Sequence, residues 1–157
     1  NNLRPLLEKF ELIHISGESD WQIIKHVQEL LPPDLAARYH ATPYLHEMGA
    51  ALAAADLVIS RAGASSLGEY PLFGLPAILV PYPHAWRYQK VNADYLTQRG
   101  AAVILQDERL SDELLSTLNV LMDNPNKLKA MRAAMFELSH PRAAEKIASA
   151  LIELAGA

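Results

Sequence analysis

Short apolar runs alternate with segments of helical hydrophobic spacing along most of the chain. Runs of β-branched residues and leucine predict strands at residues 11–16, 37–45, 56–60, 76–81 and 101–106, the second of which runs into a loop. Apolar positions three and four residues apart predict helices at residues 20–31, 46–55, 66–73 and 85–99. Strands that alternate with helices are typical of a parallel sheet covered by helices on both faces. We therefore expect an α/β fold.

Both ends of the chain add helices to this pattern. Residues 3–10 predict a short helix before the first strand, and three helical segments follow Ser111, at residues 111–123, 125–138 and 141–155. A doubly wound domain ordinarily opens on a strand and its phosphate-binding turn, so we expect that first strand to lie upstream. The first residue is Asn1 rather than Met, which suggests an excised piece of a longer protein. We expect one domain over residues 1–157, with C-terminal helices at about 111–157.

Composition excludes several classes of function. The net charge is −4 and the basic residues are scattered, so the chain lacks the basic patch of a nucleic-acid-binding protein. Because there is no cysteine, disulfides, zinc–thiolate sites and thiol catalysis are excluded. No paired-carboxylate metal site is recognisable, and no apolar run reaches the length that crosses a bilayer.

The segment SRAGASSLGE, residues 60–69, places small and polar residues where the third strand passes into a helix. In open α/β sheets, ligands bind at the carboxyl ends of the strands. Gly63 can adopt backbone angles closed to other residues, and Ala64 and Ser65 leave the backbone approachable. The N-terminus of the following helix offers free N–H groups and a positive dipole end, which suit a phosphate. Glu69, one turn into that helix, is positioned to accept hydrogen bonds from a sugar diol.

The same residues also have an interpretation that involves no ligand. Ser66 and Glu69 fit the S-x-x-E capping box, in which each side chain accepts a hydrogen bond from the other residue's backbone N–H. Such a box stabilises a helix by about 1 kcal/mol. From spacing alone both interpretations stay open. Gly74 predicts the end of this helix, and Pro71 is expected to remove one backbone hydrogen bond or to shorten the helix.

Residues 55–105 carry an ordered series of motifs. Arginine, glycine, a small residue and serine are followed four residues later by glutamate, then by Gly-Leu-Pro, a strand ending in Pro-Tyr-Pro, and a glutamine and an asparagine in the next helix. This series resembles the donor-binding half of the MurG-type glycosyltransferases, the GT-B enzymes of glycosyltransferase family 28. The resemblance runs from about His14 to Leu110. It implies one half of a GT-B fold, a Rossmann-like doubly wound parallel sheet.

The resemblance also assigns roles to individual residues. In the family, a turn before the small-residue helix reads uracil, a helix N-terminus holds the diphosphate, a glutamate binds the ribose hydroxyls, and the next helix holds the donor sugar. The matching residues are Tyr44, Leu45 and Met48 for uracil; Gly63, Ala64, Ser65 and Ser66 for the diphosphate; Glu69 for the ribose; and Tyr88, Gln89 and Asn92 for the sugar. Arg61 and His84 complete the candidate donor-binding residues.

Three of these residues have an alternative role. Arg61 would either meet phosphate or pair with a carboxylate in the core. His84, in a loop at the edge of the sheet, would be either catalytic or solvated. Asn92 would contact the ligand, or it would cap or bridge the loop. The chain also departs from the family pattern in this helix. The variable positions are occupied by Trp86, Arg87 and Tyr88, and only Gln89 matches the pattern. Trp86 and Tyr88 would stack on a sugar or pack against another domain.

The implied activity is an inverting, metal-independent transfer of N-acetylglucosamine from UDP-GlcNAc to the undecaprenyl-pyrophosphoryl-muramoyl pentapeptide, lipid I, which yields lipid II. No cofactor and no metal are expected, and the partners are UDP-GlcNAc or a related UDP-sugar and a lipid-linked acceptor. The resemblance places the acceptor site, the membrane-associating surface and the general base in an N-terminal domain, so no catalytic residue is identified in this chain. The whole protein would be cytoplasmic and peripheral on the inner face of the cell membrane. The isolated chain is expected to bind uridine diphosphate weakly or not at all, and to be inactive.

Other functions share parts of this pattern. Within the family, the alternatives are a galactolipid synthase-like enzyme and the catalytic half of a two-subunit GlcNAc transferase. A UDP-GlcNAc 2-epimerase has the same architecture, but its glycine pair and double glutamate are not present at residues 61–71. From another class, the chain would be a non-catalytic nucleotide-sugar-binding module.

Overall fold

The computed structural model describes residues 2–84 and 88–156. The chain divides into two compact units, each formed by two segments. The first unit comprises Asn1–Ala55 and Leu105–Asn124, and the second comprises Asp56–Ile104 and Pro125–Ala157.

The first unit is built around a pair of parallel strands. Its elements are α1 (Leu3–Leu7), β1 (Leu12–Ile15), α2 (Trp21–Glu29), α3 (Pro33–Ala36), β2 (Tyr39–Thr42), α4 (Met48–Ala54), a 3₁₀ turn (Asp107–Arg109) and α7 (Leu110–Met122). Strands β1 and β2 run parallel, with Leu12 opposite Tyr39. The buried side chains of Leu7, Leu35 and Tyr39 form a core between α1, α3 and β2, and burial of such apolar surface stabilises the fold.

Helix α3 is an element that the hydrophobic pattern did not predict. The pattern places a helix end at Pro32 and Pro33, and α2 does end before them. Pro33 then occupies the first turn of α3, where its missing N–H removes no helical hydrogen bond. The short helix buries Leu35, so the two prolines both end one helix and begin another.

His14 of β1 is held against β2 inside the first unit. Its Nδ1 lies 2.7 Å from the hydroxyl oxygen of Tyr39, whose side chain is buried. Burial lowers the pKa of His14 below its ordinary value, and the carboxylate of Asp20 acts in the opposite direction. The folded protein therefore favours a neutral imidazole at this position.

The second unit contains a three-stranded parallel sheet. Its elements are β3 (Val58–Ser60), α5 (Ser66–Phe73), β4 (Ala77–Leu79), α6 (Tyr88–Gln98), β5 (Ala102–Ile104), α8 (Pro125–Glu137) and α9 (Ala143–Leu154). The strand order is β3-β4-β5. Every residue of the central strand β4 is fully buried, as expected for a strand covered on both faces.

Helix α5 ends as the sequence predicts. Gly74 adopts a left-handed conformation with φ of 56°, and the Leu75 N–H donates to the Tyr70 carbonyl at 2.9 Å. A side chain at Gly74 would collide with the ring of Phe136 on α8. Pro71 lies inside this short helix, where it has no N–H to donate to the carbonyl four residues earlier.

Parallel sheets flanked by helices confirm the predicted α/β, Rossmann-like fold class. The C-terminal helices predicted after Ser111 are present as α7, α8 and α9. The single-domain boundaries and the upstream strand stay predictions. Within residues 2–84 and 88–156, no helix combines the length and apolarity needed to span a bilayer.

Candidate functional site

The carboxyl edge of the three-stranded sheet brings two candidate loops together. Strand β3 ends at Ser60 and the parallel strand β4 ends at Leu79, so the loops that follow them leave from the same edge. The Val80 N–H donates to the Ser60 carbonyl at 2.8 Å and extends the pairing by one residue. The first loop carries residues 61–65 into α5, and the second leads to α6.

The turn between β3 and α5 is closed by Ser66. This serine is only 1% exposed, and its hydroxyl donates to the Gly63 carbonyl at 2.5 Å, as does its backbone N–H at 3.2 Å. Helix α5 begins at Ser66, and Ser65 before it makes no side-chain cap hydrogen bond within the described residues. The capping-box interpretation is therefore wrong, because Ser66 lies inside the helix and binds backward into the turn.

The backbone conformation of Gly63 also differs from the one that the sequence predicts. Its φ is not positive, so special backbone angles do not explain a glycine at this position. A Cβ built on Gly63 would meet nothing within 4 Å among the residues that the structure describes. What the glycine provides is an uncovered backbone beside the helix N-terminus.

The backbone N–H groups of this turn fall into two sets. Those of Ser66, Leu67 and Gly68 donate to carbonyls of the turn residues 63–65. Those of Gly63, Ala64 and Ser65 donate to no acceptor in the described part of the chain. Since these donors stand at the N-terminus of α5, the helix dipole adds to their attraction for an anion.

Glu69 lies one turn into α5, and its side chain is exposed to solvent. Its backbone N–H donates to the Ser65 carbonyl at 2.8 Å. With the capping box excluded, its carboxylate is an exposed hydrogen-bond acceptor near the turn.

Arg61 crosses from the first loop to the second. Its Nη1 donates to the Val80 carbonyl at 3.3 Å, and its guanidinium lies 5.2 Å from the ring centroid of Tyr82. The sequence leaves two roles open for Arg61, binding phosphate or pairing with a carboxylate in the core, and the structure adds a third. Arg61 fixes the loop that follows β4.

Two side chains of α6 bind these loops. The Gln89 Oε1 accepts a hydrogen bond from the Tyr82 N–H at 2.8 Å. The Asn92 Nδ2 donates to the Ala62 carbonyl at 3.0 Å. The bridging role expected of Asn92 is confirmed by this contact, and its contact with ligand stays a prediction.

The remaining loop residues at this edge are exposed. His84 packs its ring edge-to-face against Tyr82, with 5.5 Å between centroids, and is otherwise open to solvent. Tyr88 at the start of α6 is 73% exposed. Trp86 and Arg87 lie outside the described residues.

A chain of two hydrogen bonds holds the start of the loop that follows β3. The Tyr70 hydroxyl donates to the Ser60 Oγ at 2.8 Å, and the Ser60 hydroxyl donates in turn to the Arg61 carbonyl at 2.9 Å. Burial raises the pKa of Tyr70, the Ser60 hydrogen bond lowers it, and Glu69 raises it again. Tyr70 is therefore a protonated donor that orients the start of the loop.

The predicted uracil-reading residues lie in the first unit. Tyr44 is 63% exposed and follows β2, while Leu45 and Met48 are partly buried. The Thr42 Oγ1 donates to the Tyr44 carbonyl at 2.7 Å, and His46 meets the Tyr44 ring edge-on at 4.9 Å. Thr42 thereby fixes the orientation of the peptide group between Tyr44 and Leu45.

Sequence reasoning missed Thr42, Ser60, Tyr70 and Tyr82. Tyr70 and Tyr82 act through contacts with residues ten and seven positions away, which local spacing does not encode. Thr42 and Ser60 bind carbonyls one or two positions further along the chain. The signal available for Tyr82 was its place in Pro-Tyr-Pro after a buried strand. That motif is part of the series that resembles the family, and an aromatic residue between prolines is in addition a candidate for a fixed loop.

The edge of the second unit offers unused backbone donors, a carboxylate and a side-chain amide. Within the described residues no group of three or more histidine and acidic side chains could hold a metal ion. Donors at a helix N-terminus suit a phosphate, and a carboxylate suits a pair of hydroxyls.

Comparison with known proteins identifies the family. The model for the glycosyltransferase family 28 C-terminal domain matches residues 2–147. The chain is 41% identical over 167 aligned residues to the UDP-N-acetylglucosamine–N-acetylmuramyl-(pentapeptide) pyrophosphoryl-undecaprenol N-acetylglucosamine transferase of Roseiflexus sp. (strain RS-1), covering 93% of this chain and 38% of that relative. It is 48% identical over 116 residues to the protein of the same name from Desulforudis audaxviator, covering 73% of this chain and 31% of the relative.

A solved structure agrees with this assignment, and a second shares the fold. The crystal structure of Acinetobacter baumannii MurG matches with a TM-score of 0.79 and 27% identity, covering 98% of this chain and 45% of that one. The spinosyn forosaminyltransferase SpnP, 14% identical with a TM-score of 0.65, shares the fold. The chain thus spans less than half the length of these relatives. From the family model and the sequence identities together, the chain belongs to glycosyltransferase family 28, as a C-terminal domain of that family.

Proposed function

We propose that this chain is the donor-binding part of an N-acetylglucosaminyltransferase that uses UDP-GlcNAc and a lipid-linked muramyl-pentapeptide acceptor. The observation that carries the proposal is the set of unused N–H groups at Gly63, Ala64 and Ser65, at the N-terminus of α5, in a chain of this family. Relatives that match most of the chain are named for that transfer. The carboxyl edge of a parallel sheet is also where such folds bind nucleotides.

In this proposal the diphosphate lies against the turn at residues 63–66. An acceptor hydroxyl oxygen attacks the anomeric carbon, the bond from that carbon to the diphosphate oxygen breaks, and configuration inverts. The hydroxyl proton goes to a general base, which the family resemblance assigns to the N-terminal domain. The backbone donors and the dipole of α5 stabilise the negative charge that develops on the leaving diphosphate.

The remaining roles follow from the chemistry of each side chain. Glu69 accepts hydrogen bonds from the ribose hydroxyls, and Gln89 contacts the donor sugar. Base reading at the Tyr44–Leu45 turn, with Met48 beside it, stays a prediction from the family resemblance. We propose further that the whole protein acts at the cytoplasmic face of the membrane, through parts outside this chain.

Binding and transfer by the whole protein that contains this chain test the proposal. Isothermal titration is expected to detect both UDP and UDP-GlcNAc, and a radiolabelled donor is expected to transfer its sugar to a lipid I analogue. Competition with UDP-galactose separates a GlcNAc donor from a galactose donor. Absence of UDP binding by the folded protein would refute the donor-site assignment, and binding without transfer would favour a non-catalytic module.

A further inference from the structure

Tyr82 lies at the centre of a cluster that joins the loop after β3 to the start of α6. The guanidinium of Arg61 lies 5.2 Å from the Tyr82 ring centroid, and the ring of His84 packs edge-on at 5.5 Å. The backbone N–H of Tyr82 donates to the Gln89 Oε1 at 2.8 Å. We call Arg61, Tyr82, His84 and Gln89 the Tyr82 cluster.

The hydrogen bond from Tyr82 determines how the Gln89 amide is oriented. A backbone N–H can only donate, so the side-chain atom that it contacts must be the carbonyl oxygen of Gln89. The amide nitrogen, with two N–H donors, is therefore at the other terminal position of the side chain. If the amide were flipped, two donors would face each other and the contact would be lost.

We propose that Tyr82 is a positioning residue that holds the Gln89 amide as a donor toward the sugar of the nucleotide substrate. The inference rests on the proposed function, because it takes the sugar as the ligand of Gln89. The arginine above the Tyr82 ring and the histidine at its edge hold the loop in place, and Arg61 also binds the neighbouring Val80 carbonyl. With the loop held, the Tyr82 N–H stays in register with Gln89.

The proposal separates two parts of the substrate. The unused N–H groups that would hold the diphosphate lie at the turn before α5 and involve neither Tyr82 nor Gln89. Loss of the ring at Tyr82 should therefore weaken the binding of UDP-GlcNAc while leaving that of UDP almost unchanged. A purely structural residue would change both affinities in parallel.

The chain provides sharp variants for this test. Tyr82→Leu keeps an apolar side chain but removes the aromatic face, whereas Tyr82→Phe keeps the face and removes only the hydroxyl. Gln89→Glu keeps an acceptor for the Tyr82 N–H and removes both amide donors. The control is Tyr95→Leu, because Tyr95 on α6 also has an arginine over its ring, with Arg99 at 3.7 Å.

The experiment is isothermal titration of the whole protein and its variants with UDP and with UDP-GlcNAc, with folding checked by circular dichroism. For Tyr82→Leu and Gln89→Glu we expect the affinity for UDP-GlcNAc to fall about tenfold, which is roughly the effect of losing one hydrogen bond to an uncharged group. The affinity for UDP should stay within about twofold of that of the wild type. Tyr82→Phe and Tyr95→Leu should bind both ligands as wild type does. In turnover, Tyr82→Leu should raise KM for the donor more than it lowers kcat.

Each alternative result has a defined meaning. An equal loss for UDP and UDP-GlcNAc in Tyr82→Leu, or no loss for either, would overturn the positioning role. If Tyr82→Leu does not fold, the comparison rests on Gln89→Glu and Tyr82→Phe, and a Gln89→Glu variant that binds UDP-GlcNAc normally would overturn it. A wild-type protein that binds neither ligand would instead refute the proposed function, and the inference would fall with it.

Discussion

Replacing Glu69 by alanine distinguishes a ligand-binding carboxylate from a helix-stabilising one. The side chain is exposed in the first turn of α5 and takes no part in a capping box, because the helix begins at Ser66. Its remaining contribution to stability is its interaction with the helix dipole, which is about 0.3–1 kcal/mol for an exposed carboxylate. For a chain of this size that corresponds to a loss of at most about 4 °C in Tm.

The expected effect of Glu69→Ala on binding is much larger. A hydrogen bond between a hydroxyl and a charged carboxylate contributes about 1.5–3 kcal/mol. Losing one such bond to the ribose lowers the affinity for UDP roughly tenfold to a hundredfold. Isothermal titration of the whole protein with UDP measures this loss, and a thermal melt measures the stability in the same buffer.

Glu145→Ala is the matched control for this experiment. Glu145 is an exposed carboxylate in the first turn of α9 and forms an exposed pair with Arg142 at 3.7 Å, so its removal tests the dipole effect together with one exposed ion pair, which contributes little to stability. Glu145→Ala should change Tm by a similar small amount and leave UDP binding intact. The reasoning is refuted if Glu69→Ala binds UDP as wild type does, or if it loses much more stability than Glu145→Ala.

Three further predictions concern stability and can be measured by urea or thermal unfolding. Gly74→Ala should destabilise the protein by about 1–3 kcal/mol, because it strains a left-handed residue and drives a methyl group into Phe136; an unchanged unfolding midpoint would contradict this. Gly68→Ala, in the same helix with nothing within 4 Å of the added methyl among the described residues, should stabilise by about 0.5–1 kcal/mol, and a loss would contradict it. Because burial lowers the pKa of His14 below 6.5, the unfolded chain binds more protons than the folded one just below that pH. Stability should therefore fall as the pH drops through this range, and the fall should be smaller in His14→Gln; equal slopes would contradict the assignment.

The hydrophobic pattern predicted the fold because burial is recorded locally in the sequence. Strand β4 is a continuous apolar run, and each of its residues is buried. The pattern missed α3, whose four residues are too few to show helical periodicity. It also left the function of Ser66 undecided, because S-x-x-E spacing does not state where a helix begins.

The contacts that shape the site were not predictable from spacing. Asn92 binds the Ala62 carbonyl across 30 positions of sequence, and Arg61 reaches the Val80 carbonyl across 19. Both contacts depend on the parallel pairing of β3 with β4, which brings loops from distant parts of the sequence to one edge. The family resemblance predicts that these loops bind the donor, and that stays a prediction; the contacts between the loops became visible only in the structure.

The hydrogen bonds at the carboxyl edge of the three-stranded sheet show which donors and acceptors of the candidate residues are already used within the protein and which remain available to a ligand. Asn92 donates an amide N–H to the Ala62 carbonyl, and Ser66 donates its hydroxyl to the Gly63 carbonyl. Both side chains therefore hold the loop after β3. Gln89 gives only its acceptor, which leaves two donors, and the N–H groups of the turn at residues 63–65 are unused in the described chain. Glu69 adds an exposed acceptor one turn away. Donors for an anion, an acceptor for a diol and donors for a further hydroxyl would complement a nucleoside diphosphate sugar. If the proposed function holds, the hydrogen bonds between the loops serve to keep these groups in place.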